Sequence, residues 1–330
     1  MTTLITGASG FVGSAVARVL AKRGHALRLL ARASSDRRNM AGLDAEIVIG
    51  DLNDPGSLAK AAKGCRFVVH VAADYRIWVP DPAAMMRANI DGAVAMIRAA
   101  ADAGAERIIH CSSVAALGQI GDGTPADENT PANEADFVGV YKKSKYRAEC
   151  AVLDLAAREK LPVVVVNPAA PVGPRDIKPT PTGKMVLDTA AGRVPAYIDT
   201  GLNIVHVDDV AEGHALALEH GRIGERYILG GENLLLKDVM ALISDVAGKK
   251  PPKIRLPEAL IWPVAWAMEK TAGITGITPI MTRDHLKMAR KKMFYASTKA
   301  ETELGYKARP AREAVSDAVA WFRQMGMLRQ

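Results

Sequence analysis

The stretch Leu4-Ile5-Thr6-Gly7-Ala8-Ser9-Gly10-Phe11-Val12-Gly13 constrains the fold more than any other part of the chain. A short apolar strand, 3–5, runs into a turn with three glycines. Residues 11–23 then carry apolar side chains at helical spacing, up to a stop at Gly24. Glycines let backbone amides approach an anion, and a helix N-terminus favours negative charge. In a parallel α/β sheet this junction is where a pyrophosphate docks. The spacing is GxxGxxG, not the GxGxxG of the standard fingerprint. A structural turn is the other reading; the strand-to-helix setting favours a dinucleotide cradle built on Gly7, Gly10, Phe11, Val12 and Gly13.

The first half of the chain repeats the same alternation. Residues 27–31, 46–49, 67–71 and 107–111 read as strands, and 82–103 and 141–160 as long helices. Residues 161–167 hold four consecutive valines, the signature of a strand covered on both faces. Repeated βαβ units predict an α/β fold, a Rossmann-type doubly wound parallel sheet. From 168 to 183 seven residues are Pro or Gly, which reads as an ordered crossing into a second lobe. Residues 203–207 and 226–229 read as strands returning to the sheet. The expected organisation is a nucleotide-binding domain of 1–167 and 203–229, with a smaller, mostly helical substrate lobe of 168–202 and 230–330.

Composition narrows the partners. The 330 residues include 43 Lys and Arg against 36 Asp and Glu, a net charge of +7. At 49% hydrophobic and 24% charged the chain is not disordered. The basic residues are scattered and aromatics make up 5%, so nucleic acid is not expected and a small anionic ligand is. Three separated cysteines, Cys65, Cys111 and Cys150, suit a reducing cytoplasm. None of the seven histidines has paired ligand spacing, so no metal is expected and His206 reads as structural. No targeting segment is expected, and Pro257, Glu258 and Pro263 break the longest apolar stretch, so no transmembrane segment is expected either. Ile261, Trp262, Val264, Ala265, Trp266 and Met268 read first as a buried helix. A lid or a peripheral membrane contact is the second reading. Arg283, Lys287, Arg290, Lys291 and Lys292 read as a solvated face.

The end of the second strand bears on which dinucleotide is bound. NAD sites usually place a carboxylate there for the ribose hydroxyls. Here Leu29-Leu30-Ala31-Arg32 is followed by Ser34, Ser35, Arg37 and Arg38. A guanidinium can clamp a 2′-phosphate through two hydrogen bonds. NADP(H) is therefore expected over NAD(H), with Arg32 first and Arg37 second, and a solvated basic loop as the other reading. Asp51 and Leu52 could meet the adenine edge, although Asp51 also reads as a helix cap. Ala72 and Ala73 would allow close cofactor approach after the fourth strand. Tyr75 and Trp78 beyond them would face substrate or simply pack.

Tyr141-Lys142-Lys143-Ser144-Lys145 carries the chemistry. Tyr141 and Lys145 are four apart and share one helix face. An ammonium beside a phenol, whose free pKa is near 10, lowers that value, so Tyr141 could exchange a proton with a substrate oxygen. Ser112 and Ser113 follow the fifth strand, where a hydroxyl can orient the same oxygen.

These motifs together resemble the extended short-chain dehydrogenase/reductase superfamily, which includes the NAD-dependent epimerases and dehydratases. The likeness covers nearly the whole chain, including Asn167-Pro168 and His206-Val207-Asp208-Asp209-Val210. It implies Tyr141 as acid/base, Lys145 as its partner and cofactor ribose ligand, and Ser113 ahead of Ser112 as the orienting hydroxyl. It also implies Asn167 and Pro168 against the nicotinamide, Asn89 as a support of the active site, and a dimer. Within the superfamily the chain is similar to dihydroflavonol-reductase-like and 3β-hydroxysteroid-dehydrogenase-like reductases. The stretches AADYRIWVPDP, NPAAPVGPRDIKPTPTG and ARKKMF resemble a bacterial group labelled hopanoid-associated sugar epimerases.

Nucleotide-sugar epimerases of this superfamily usually carry an Arg for the substrate phosphates just before the His-Val motif. Leu202 stands at that point here. The expectation is therefore NADP-dependent hydride transfer between an aldehyde or ketone and an alcohol. Nucleotide-sugar epimerisation, with Arg175 and Lys178 holding an anionic substrate group, is the alternative. A cofactor-sensing regulator ranks last, because Tyr141 and Lys145 are both present.

Overall fold

The computed structural model describes residues 1–76, 79, 81–257, 262, 263, 265, 266, 268, 271 and 291–328. Trp78, Ile261, Val264, Arg283, Lys287 and Arg290, singled out above, lie outside them. The strands are β1 (Thr2–Thr6), β2 (Ala26–Ala31), β3 (Ala45–Ile49), β4 (Phe67–His70), β5 (Arg107–Cys111), β6 (Val163–Pro168), β7 (Ala170–Val172), β8 (Ala196–Tyr197), β9 (Gly201–His206), β10 (Arg226–Leu229), β11 (Glu232–Leu235), β12 (Ile254–Arg255) and β13 (Lys292–Met293). Seven form one sheet in the order β3-β2-β1-β4-β5-β6-β10, every neighbouring pair parallel. Val163 to Val166 of β6 are fully buried, as a strand with helices on both faces requires.

The helices follow from local chemistry. α1 (Phe11–Lys22) starts at Gly10. Asp54 and Asp81 each precede a proline and cap α2 (Pro55–Ala62) and α3 (Pro82–Asp102) with their carboxylates. α4 (Gly139–Glu159) packs beside α3, and together with α2 they cover one face of the sheet. α1 covers the other face with α6 (Val207–His220). The chain winds outward in opposite directions from β1 and β4, so the crevice beyond their C-terminal ends is the switch point of the sheet.

A second lobe is built on β9, which pairs antiparallel with β11 and parallel with β7 and β13. Its core lies among α5 (Pro181–Ala190), α7 (Leu236–Ala247) and α9 (Ala311–Gln324), with α8 (Thr298–Leu304) returning to the first domain beside α6 and β10. Here the structure corrects one expectation. Residues 226–229 join the main sheet, but 203–207 do not. The buried Asn203 amide bonds to Gly231 O, to Asn233 and to Tyr295 O, and so ties β9 to the second lobe. An apolar run announces a strand, not the sheet it will join. His206 then caps α6: its Nδ1 accepts from Asp208 N at 3.0 Å, and its Nε2 lies 3.1 Å from Asp317 on α9.

Two glycines of the first turn are forced by packing. Gly7 adopts φ +76°, and a Cβ there would stand 2.8 Å from Ala72 N. A Cβ on Gly13 would stand 2.2 Å from Gly7 O, whereas at Gly10 it would meet only that oxygen, at 3.2 Å. Gly13→Ala should therefore destabilise by about 1–3 kcal/mol, as overpacking does. Gly10→Ala should cost measurably less, and urea unfolding of the two variants checks the ordering.

Candidate active site

One cavity of about 1010 Å³ crosses the C-terminal ends of the central strands and continues into the second lobe. Gly7, Gly10, Phe11, Val12, Gly13, Arg32, Asp51, Leu52, Ala72 and Ala73 line its first half. α1 enters this half with no side-chain cap and no acidic residue in its first turn. The first amides of a helix have no partner within it and carry its positive dipole end. A cradle of glycine, free amides and positive potential fits the diphosphate of a dinucleotide.

At the end of β2, Arg32, Ser34, Ser35 and Asp36 line the cavity. Arg32 donates its amide to Ser35 Oγ at 3.1 Å, and among the described residues its guanidinium holds no ion pair. Arg38 grips Asp36 and holds that carboxyl down at about 2. Arg37 is off the cavity wall, at the start of a short 3-10 turn. Asp51 bonds Asn53, and the cap of α2 is Asp54.

Tyr141, Lys145, Ser112 and Ser113 meet on the wall where the two halves join. The Ser113 hydroxyl stands on the wall with the Tyr141 phenol and accepts from Ala115 N at 3.1 Å. Lys145 Nζ donates to Cys111 O at 3.0 Å. The phenol departs from the expectation of a lowered pKa: burial pushes it up, with Ser113 opposing. Burial also pushes the Lys145 ammonium down, with Cys111 and Glu149 opposing. The ammonium bonds a carbonyl of β5, so desolvation dominates the phenol. Ser112 is 4% exposed, and its hydroxyl has no partner among the described residues.

Pro168 and Tyr75 also line the cavity, whereas Asn89, Asn167 and Arg175 do not. Asn89 bonds Asp74 through both backbone atoms and donates to Ser144 Oγ at 2.9 Å, which bonds Tyr141 O in turn. Asn167 donates to Ser113 O at 3.0 Å and to Glu149 Oε2 at 2.6 Å. Both asparagines hold the loops that carry the wall. Arg175 is turned away, paired with Asp208, at a backbone φ of 78°. Ile198 of the wall packs against the fully buried Ala265, as Trp262 does.

Sequence reasoning missed Glu149 and Lys142. Glu149 is 2% exposed, one turn beyond Lys145, and pairs with Arg226 at 2.9 Å. Extending the Tyr141–Lys145 stripe by four residues finds it. Lys142 lines the cavity through a contact with Met293 of β13, which no local spacing encodes.

The model of the NAD dependent epimerase/dehydratase family matches residues 3–230. The chain belongs to this family. A Synechocystis protein named "Putative dihydroflavonol 4-reductase" is 42% identical over 329 residues, 98% of this chain and 95% of the relative. Sterol demethylase protein B of Methylococcus capsulatus is 32% identical over 330 residues, 99% and 100% of the two chains. The crystal structure of gox2253 is 60% identical with a TM-score of 0.91, covering 99% of each chain. The expectation of an oxidoreductase of the extended short-chain type on a Rossmann-like sheet holds. Among the described residues no helix is long and apolar enough to cross a membrane.

Removing the Glu149 carboxylate strands Arg226 and the Asn167 amide. Glu149→Ala should cost about 3 kcal/mol, the lower end for breaking a buried pair because Arg226 is one-third exposed. Urea unfolding at pH 7 measures it.

Proposed function

We propose that this protein is an NADP-dependent carbonyl reductase with Tyr141 as its proton donor. The observation that carries the reading is that Tyr141, Lys145 and Ser113 share the wall of a cavity whose other half is the glycine cradle. When bound, NADPH supplies the hydride that converts a C=O carbon to C–H, leaving NADP⁺. Tyr141 gives its phenolic proton to the carbonyl oxygen, and Ser113 donates a second hydrogen bond that orients that oxygen. Lys145, one turn along, favours the phenolate that remains, and solvent protons restore the phenol.

The raised phenol pKa suits this direction of reaction. A group pushed above its ordinary value near 10 remains protonated throughout the neutral range and so remains an acid. NADPH is favoured by Arg32, whose guanidinium holds no ion pair among the described residues, and by the engagement of Asp36 with Arg38. The second half of the cavity supports an apolar substrate: Val114, Val138, Ile198, Leu202, Leu236 and Met293 line it. Leu202 in place of a phosphate-binding Arg argues against a nucleotide sugar; of the two residues that could hold an anionic substrate group, Arg175 is paired with Asp208 and Lys178 lines the cavity. The names of the reductase and the sterol demethylase relatives agree with a hydrophobic substrate.

Purified protein should consume NADPH with apolar ketones or aldehydes and leave UDP-sugars unchanged. Conversion of a UDP-sugar with no net cofactor change would overturn the reading. Tyr141→Phe should lower kcat by about 10²–10⁴, the scale of general acid catalysis, while NADPH fluorescence titration still shows binding. Arg32→Ala should shift the NADPH-to-NADH ratio of kcat/KM by about 10-fold or more, from one lost charged hydrogen bond. At saturating concentrations of an uncharged ketone, kcat should hold from neutral pH upward and fall only beyond pH ~10, where the phenol loses its proton.

A further inference from the structure

The second half of the cavity contains a cation that its surroundings disfavour. Lys142 follows Tyr141 directly, in the second turn of α4, and lines the cavity. Its nearest partner is Met293 Sδ at 4.0 Å, and among the described residues no carboxylate pairs with it. Lys291 repels it from the second lobe. Burial and Lys291 together push its pKa down to about 8, so it still carries charge at pH 7. A half-buried cation on the cavity wall, repelled by Lys291 and with no paired carboxylate among the described residues, lacks a partner that a ligand can supply. On the same wall Ser112 keeps a buried hydroxyl without a partner among the described residues.

We propose that the substrate carries a carboxylate, and that Lys142 receives it while Tyr141, the adjacent residue, protonates the carbonyl oxygen. The inference rests on the reductase reading above and narrows its substrates to keto acids with an apolar chain. One lysine ammonium beside Met293 suits a monoanion. Phosphates are usually met by an arginine fork, and among the described residues the groups that meet Lys142, Met293 and Lys291, include no arginine, while Asp176, Lys178, Thr180, Thr182 and Thr200 also line the cavity. Lys142 is thus a specificity-determining residue: it selects the anion and takes no part in proton transfer.

Two measurements on the NADPH-saturated protein test it. Isothermal calorimetry should show octanoate, the probe for the anion site, binding to the wild type. Lys142→Gln should weaken that binding about 10–100-fold, and Lys142→Arg should retain most of it. In steady-state assays with 3-oxooctanoate and its methyl ester, Lys142→Gln should cost the acid about 10-fold more kcat/KM than the ester, mainly through KM. Absence of octanoate binding to the wild type, or equal binding by the wild type and Lys142→Gln, overturns the proposal. So does an unchanged acid-to-ester ratio, even while reduction of the ester upholds the reductase reading. Lys142-dependent octanoate binding without reduction of any ketone upholds the anion site and rejects the reductase reading.

Discussion

One amide joins the parts of this site. Asn167, at the end of β6, donates to the Ser113 carbonyl after β5 and to the Glu149 carboxylate of α4. Two strands and the helix that bears Tyr141 and Lys145 are therefore fixed to one another by bonds behind the cavity wall. Glu149 is anchored in turn by Arg226 of β10, which also reaches Glu128 O. Buried polar groups of this kind hold only when every partner is present, and then they specify a single arrangement. The meeting of Tyr141 and Ser113 on one wall depends on that arrangement, because the two residues stand on different elements.

The electrostatic character of the site follows from its dryness. Burial raises the Tyr141 phenol and lowers the Lys145 ammonium, each toward its neutral form. Behind them His70 and His110 stack at 5.5 Å, and burial keeps both imidazoles well below their ordinary range. The sheet thus presents uncharged groups to the back of the site. Glu149 is the buried carboxylate one turn from Lys145, and it favours the ammonium. The balance keeps a proton on the phenol and charge near the lysine, which is the state a carbonyl reductase needs before turnover.

What could be read in advance was whatever lies close along the chain. The βαβ alternation and the glycine turn announced the central sheet and its switch point, and Tyr141–Lys145 announced a shared helix face. The placement of β9 was not legible, because Asn203 chooses its sheet through Gly231, Asn233 and Tyr295, all far along the chain. The direction of the Tyr141 shift was misjudged for a related reason. Spacing brings a lysine near a phenol, but burial, which depends on the whole fold, outweighs it. Arg32 and Arg37 looked alike as cations, yet only Arg32 lies on the wall.

The two halves of the cavity therefore differ in how they are encoded. The half that fits a dinucleotide comes from strand ends within the first 75 residues, where glycine and alanine leave backbone exposed. The half that faces a substrate is assembled from Val138, Ile198, Leu202, Leu236 and Met293, which come from separate elements. Any one of these positions can change without disturbing the cradle or the Asn167 network, so substrate choice is free to vary while the chemistry is preserved. Lys142 sits at the border between them, on the rigid helix that carries the proton donor but touching the variable lobe through Met293. A charge at that border registers a substrate's anion against the fixed phenol, which local spacing on α4 could not reveal.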